Sequence, residues 1–347
     1  MNSIAADIVD KAISLGYADC GIIKISDVAG YEERLKEHMP KVRLGRIVYR
    51  EFMRFAHPQN EYPWAKSIIV VLNDNSCYNI PQQLNGVIAK HYLTDGRMDK
   101  NSGAFNRRIA FTDYLGSIGV KSGSDPQFGI TALRYAARKA GIGIIRKNNF
   151  LYTKNGSTSL IEAFAIDCEL EAVREEPQLQ ECAENCTLCI DACPSKALSE
   201  PYNTSLLDCI SFMNTLSVER GLRFQSLKRR KQFGSWIYGC DACQDACPHN
   251  ASKWKGGQDF PGLNEIAQSL LPENILLMDY AEMERVIAPK FWYVSKANLW
   301  KWKINALTVM ENNYIAKYKE PILIAANDEK AIVRLHARKT GKRLGIL

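Results

Sequence analysis

Apolar residues recur at helical spacing at the start of the chain, where Ile4, Ile8, Ala12 and Ile13 predict a helix over residues 2–16 that Gly16 ends. The run Cys20-Gly21-Ile22-Ile23 then predicts a strand, and the unbroken aliphatic stretch at 67–72 predicts a second, buried one. Helices are expected over 105–115 and over 130–139, the latter stopped by Ala140-Gly141, and a further strand over 159–166. This alternation of helix and strand predicts an α/β domain spanning residues 1–175. A cysteine-rich segment, 176–260, follows. Beyond it Pro261 and Pro272 punctuate a linker, and 261–347 reads as helical. Two apolar helix-length patterns, around 300–311 and 331–344, are expected to pair, with turns at Asn312-Asn313 and Asn327-Asp328.

The cysteines change the picture most. Eight of eleven fall between residues 182 and 247, as Cys182-x3-Cys186-x2-Cys189-x3-Cys193-Pro194, then Cys209, then Cys240-x2-Cys243-x3-Cys247-Pro248. A cubane needs four thiolates, and a short loop reaches only three of its corners. In two-cluster ferredoxins the cysteine before the proline of each run ligates the other cluster. By that rule one [4Fe–4S] cluster takes Cys182, Cys186, Cys189 and Cys247, and the other takes Cys193, Cys209, Cys240 and Cys243. The first gap holds three residues, Ala183, Glu184 and Asn185, where two are usual, which makes Cys182 the least secure ligand. Paired C-x2-C units also occur in zinc sites and disulfides, but neither calls for the C-x3-C-P endings. Cys20, Cys77 and Cys168 are expected to be small buried residues.

The 347 residues, 46% of them apolar, suffice for about two domains with real cores. No stretch is apolar for long enough to span a bilayer, and the acidic, amphipathic N-terminus is unlike a signal peptide. A reducing cytoplasm is the expected location, with neither membrane nor DNA as a partner. The net charge of +7 concentrates in Lys228-Arg229-Arg230-Lys231 and in Arg334, Arg338, Lys339, Lys342 and Arg343. Such patches suit phosphate or an acidic electron donor, or are solvated helix faces.

The wording around the cysteines resembles the epoxyqueuosine reductases: Cys209-Ile210-Ser211-Phe212, then 236–244 reading Trp-Ile-Tyr-Gly-Cys-Asp-Ala-Cys-Gln, then Cys247-Pro248-His249-Asn250. The opening helix–strand junction at 15–22, Ala140-Gly141-Ile142-Gly143 with Lys147-Asn148, and Asn305-Ala306-Leu307 extend the likeness over nearly the whole chain. The resemblance implies a multidomain α+β or α/β protein. A nitroreductase-like, cobalamin-holding domain would be joined to a double [4Fe–4S] ferredoxin-like module and a HEAT-like helix pair. It also implies an oxidoreductase that passes electrons from a low-potential donor such as flavodoxin or ferredoxin, through both clusters, to base-off cobalamin. None of the five histidines stands in the D-x-H-x-x-G of a histidine-on corrinoid site.

Arg134, Lys147, Asn148, Ser211 and Asp241 are the residues this resemblance offers to the corrin. The family's proton-donating aspartate falls on Gln127, and its pair of tyrosines on Asp74 and Asn75. Asp125 and Asp74 are then the candidate acids, although Ser124-Asp125-Pro126 also reads as a turn and Asp74 as a strand cap. These departures leave epoxyqueuosine in tRNA, or another electrophile, as the substrate. An electron carrier, or a reductive activator of a corrinoid partner with no substrate of its own, is the alternative.

Overall fold

The computed structural model describes residues 4–171, 177–221 and 226–347. The boundary expected between 175 and 176 lies outside them. The first half is built on helix α1 (Ile4–Ser14), strands β1 (Asp19–Lys24) and β2 (Ser67–Asp74), helix α2 (Gly103–Ser117), strand β3 (Ser122–Gly123), helix α3 (Leu133–Lys139), a short hairpin β4 (Ile144–Ile145) and β5 (Leu151–Tyr152), and strand β6 (Ser159–Ile166). The sheet runs β1-β2-β6-β3 with every neighbour antiparallel; Asp19 faces Leu72 and Ser67 faces Ile166. Of the two classes expected, the antiparallel sheet fits α+β.

Strand β2 is apolar without alternation because both of its faces are covered. Ile68, Val70 and Leu72 pack with Ala136 and Ala137 of α3, while Ile69 and Val71 pack with Ile8 and Ala12 of α1 and Phe111 and Leu115 of α2. Helix α1 is turned so that Ala5, Ile8 and Ala12 face inward, leaving Ile4 and Ile13 exposed. Cys20 is buried in this core; Cys77 and Cys168 are half-buried rather than buried.

The second half carries helices α4 (Leu188–Asp191), α5 (Ile210–Asn214), α6 (Leu227–Lys231) and α7 (Ala242–Asp245) around the cysteines, then α8 (Pro272–Leu277), α9 (Trp300–Asn312), α10 (Lys319–Ala325) and α11 (Ala331–Arg343). The expected helix pair is thus three helices, since Pro321 sits in the first turn of α10, where its missing N–H costs nothing. Helix α9 is buried from Trp300 to Met310. Its Asn305 amide donates to the carbonyls of Asn214 and Ile237, at 2.7 and 2.9 Å, tying it to the cysteine segment. The parts share a core. Leu84, Ile88 and Leu93, from the first half of the sequence, share one core with Ile237, Tyr238, Phe260, Phe291 and Trp302. Tyr238 stacks on Trp302 with centroids 4.5 Å apart. Among the described residues no helix is long and apolar enough to cross a membrane.

Candidate metal centres

Cys182, Cys186, Cys189 and Cys247 line one cavity of about 400 Å³, together with Arg146, Lys147, Asn148, Pro248 and His249. Burial pushes the Cys189 thiol up, and the neighbouring Cys247, Cys182 and Cys186 push it further. Cys247, from the second run, thus stands with the first three. The remaining four form a second group. Burial raises Cys243 most, followed by Cys209, Cys240, Cys193 and then Cys189, the last a member of the first group. Burial likewise raises Cys209, and it pushes Cys240 up to about 12. Backbone N–H groups of Ser211 and Phe212 point at the Cys209 sulfur and that of Ala242 at Cys240.

This chemistry suits cubanes. Among the described residues no three His, Cys, Asp or Glu side chains converge as the ligands of a single ion do. The first four thiols border a space instead, and sulfurs that are costly to ionise alone become favourable ligands when a cationic cluster compensates them.

The hairpin tip between β4 and β5 reaches into this region. Asn149 takes a left-handed conformation, φ 65°, that closes the tip. Lys147 Nζ donates to the carbonyls of Ala183, Glu184 and Cys186, at 2.8, 2.6 and 3.1 Å. Arg146 donates to Gln180 O at 2.5 Å, and its other terminal nitrogen lies 3.7 Å from Cys182 Sγ. Asn148 Nδ2 donates to the Cys243 carbonyl at 3.2 Å and to Tyr152 Oη at 2.8 Å. The fully buried Tyr152 in turn hydrogen-bonds Cys247. Neither Arg146 nor Tyr152 was expected from sequence. Arg146 stands beside the Lys147-Asn148 signature, which was a signal of sorts; nothing marked Tyr152.

The other polar candidates are also engaged. Asp241 is buried and accepts from Lys90 N at 2.8 Å, with Lys90 Nζ at 3.5 Å; burial outweighs that ammonium and pushes its carboxyl up. Ser211 Oγ lies 3.1 Å from the Tyr92 hydroxyl. Arg134 is exposed on α3 and donates to Asn149 O. Each of the five residues named for the corrin is thus hydrogen-bonded within the protein, and two of them, Lys147 and Asn148, line the cavity of the first four thiols.

The candidate acids are likewise committed. Asp74 accepts from Ser76 N and Oγ, Asn155 Nδ2 and Thr158 Oγ1, the last at 2.6 Å, so its carboxylate orders the chain where β2 ends. Asp125 caps its own turn, accepting from Gln127 N at 2.8 Å and Phe128 N at 3.3 Å. Gln127 is exposed.

Half of the basic run on α6 faces inward. Arg229 bonds Leu207 O and Asp208, and the buried Arg230 meets His336 Nδ1 at 3.4 Å. That contact places α6 against α11, so exposed Lys228 and Lys231 share a neighbourhood with exposed Lys339 and Lys342.

Residues 181–250 match the 4Fe-4S double cluster binding domain. An epoxyqueuosine reductase of Cellulophaga algicola is 32% identical over 248 residues, covering 69% of this chain and 77% of its own. That of Staphylococcus aureus is 24% identical, covering 95% and 86%. Among solved structures, an epoxyqueuosine reductase with a tRNA-Tyr epoxyqueuosine-modified stem loop is 21% identical with a TM-score of 0.76, over 98% of this chain and 89% of that one. The Streptococcus thermophilus epoxyqueuosine reductase gives 0.74 at 20% identity, over 97% and 89%. These structures share the fold.

Proposed function

Because the chain belongs to the epoxyqueuosine reductase family, we propose that it is a reductase that carries electrons inward through two [4Fe–4S] clusters to an epoxyqueuosine-type substrate. Cys182, Cys186, Cys189 and Cys247 would hold the first cluster, and Cys193, Cys209, Cys240 and Cys243 the second. When bound, the clusters supply one-electron carriers. The chain's own residues set the path between them. Cys189 and Cys243 stand close enough for one thiol to perturb the other, and the β4–β5 hairpin tip touches both cysteine loops, Lys147 the first and Asn148 the second. The observation that carries this reading is the sorting of eight thiols into two groups of four, with Cys247 and Cys193 exchanged between the runs.

A flavodoxin or ferredoxin would deliver electrons at the first site, whose cavity has exposed Leu188 and Glu181 on its wall. Family membership also supports a base-off cobalamin as the last carrier, with Arg134, Lys147, Asn148, Ser211 and Asp241 as the candidates to hold it. The likeness to a reductase crystallised with a tRNA stem loop supports tRNA as the partner. The adjoining lysines of α6 and α11 suit its phosphates. Asp74 and Asp125, bound into turns, leave the proton source of the reduction to another group, so a different electrophile remains a second candidate substrate.

Anaerobic reconstitution with iron, sulfide and cobalamin tests the reading. About eight irons and one retained cobalt per chain, with turnover of epoxyqueuosine-containing tRNA, are expected. Iron without cobalt or turnover would make the protein an electron carrier or an activator of a corrinoid partner. Replacing Lys228, Lys231, Lys339 and Lys342 by Gln should weaken tRNA binding and flatten its salt dependence.

A further inference from the structure

The three-residue gap between Cys182 and Cys186 is where the cysteine pattern departs from the usual run, and it is the segment that Lys147 grips. All three N–H bonds of the ammonium go to carbonyls of this loop. Arg146, the preceding residue, reaches the loop's first cysteine. Both cations line the cavity of the first four thiols and are almost fully buried, at 4% and 8% exposure. Among the described residues neither forms an ion pair with a carboxylate, although Glu181 lines the same cavity. The second group differs, because the ammonium nearest its loop, Lys90, lies between two carboxylates, Asp241 and Asp245.

We infer that Arg146 and Lys147 form a cationic clamp on the first cluster. Lys147 braces the widened loop so that Cys182 reaches an iron, and the two charges raise the potential at which the cluster accepts an electron. The inference rests on the ligand assignment proposed above. Taking one electron from a low-potential donor lowers the cluster from the 2+ to the 1+ state with no bond made or broken. The product is the more negative species, so a buried positive charge beside it favours reduction. The clamp thereby makes the first cluster the acceptor for an outside donor.

The test uses the full chain, reconstituted with iron and sulfide, and follows its reduction by EPR during a mediated dithionite titration. Arg146→Gln should retain about eight irons. At a fixed poise it should lower the first cluster's reduced-to-oxidised ratio about tenfold, which is 59 mV for a one-electron couple. Arg146→Lys should restore most of that ratio, which a purely structural arginine would not require. Lys147→Gln should release the first cluster to a chelator several-fold faster than the second. Variants that keep both clusters with unchanged potentials and unchanged release would overturn the clamp alone. An unmodified protein that takes up no iron would remove the ligand assignment and the clamp with it.

Discussion

The two groups of cysteines are both fours of thiols, but the first draws three of them from residues 182–189 while the second gathers Cys193, Cys209, Cys240 and Cys243 from three separate stretches, and their surroundings differ as well. The first borders a cavity with two cations, Arg146 and Lys147, on its wall, and buries Cys189 and Cys247. In the second the thiols are half-buried, burial is the largest influence on three of them, Cys209, Cys240 and Cys243, and backbone N–H groups are aimed at two of the sulfurs. A carrier that must meet an outside donor needs access. One that hands electrons onward inside the protein needs exclusion of water, and fixed dipoles that do not reorganise when the charge changes. On the proposed path, the direction of electron flow would be set by what surrounds the thiols.

The harshest way to break the comparison is to remove one thiol from each group. Cys243→Ala should cost about four irons and all turnover. Cys247→Ala should cost the same number from the other cluster, although the two residues are neighbours in sequence. If both variants lose the same EPR signal, the exchange of Cys193 and Cys247 is wrong.

The seal of the second group comes next. Asp241→Ala leaves the Lys90 backbone N–H without its buried acceptor, while Lys90 Nζ keeps Asp245. An orphaned buried N–H costs about 1–3 kcal/mol, so thermal unfolding should show a measurable drop, with iron lost first from the second group.

A control lies outside both groups, in Lys301 of α9. Among the described residues its ammonium meets Ser217 Oγ at 3.5 Å, and burial pushes it from 10.5 down to about 8. The folded protein therefore binds this proton less tightly than the unfolded chain does. The penalty is fully present below about pH 8 and fades as pH rises toward 10.5. Lys301→Met should stabilise the fold at pH 7 by at most about 3 kcal/mol, and its advantage over the unmodified protein should shrink between pH 8 and 10 in thermal melts. An advantage independent of pH would mean that Lys301 is not held as a strained cation.

The smallest effect is expected at Asp125. Asparagine keeps the turn's acceptor, so Asp125→Asn should change turnover by no more than about twofold and stability by under about 1 kcal/mol. A loss of a hundredfold in kcat would restore Asp125 as the acid.

Features set by near neighbours were legible in the sequence. Strand β2 announces its burial because both of its faces are apolar, and the cysteine runs announce clusters because they carry the C-x2-C spacing and C-x3-C-P endings of two-cluster ferredoxins. What could not be read depends on distant partners. Leu84, Ile88 and Leu93 look like scattered apolar residues in a polar stretch until residues 237–309 arrive to cover them. Lys301 and Lys303 would mark the outer face of a helix, but Lys303 is buried against Asp328 at 2.7 Å. Lys147 and Arg230 carry charges that suggested ligand or surface, while tertiary contacts turn them into braces. The same holds for Asp74 and Asp125, whose carboxylates are spent on nearby N–H and O–H groups that only the folded turn brings into reach.

The core shared by Leu84, Ile88 and Leu93 with Trp302 and Val309 also governs the order of events during synthesis. A ribosome adding residues from the N-terminus releases those three side chains some two hundred positions before their last partners. The segment at 84–93 must therefore wait, unpacked, while all eight cluster cysteines emerge behind it. Iron inserted before residue 309 has emerged would meet a chain whose two halves are not yet locked together.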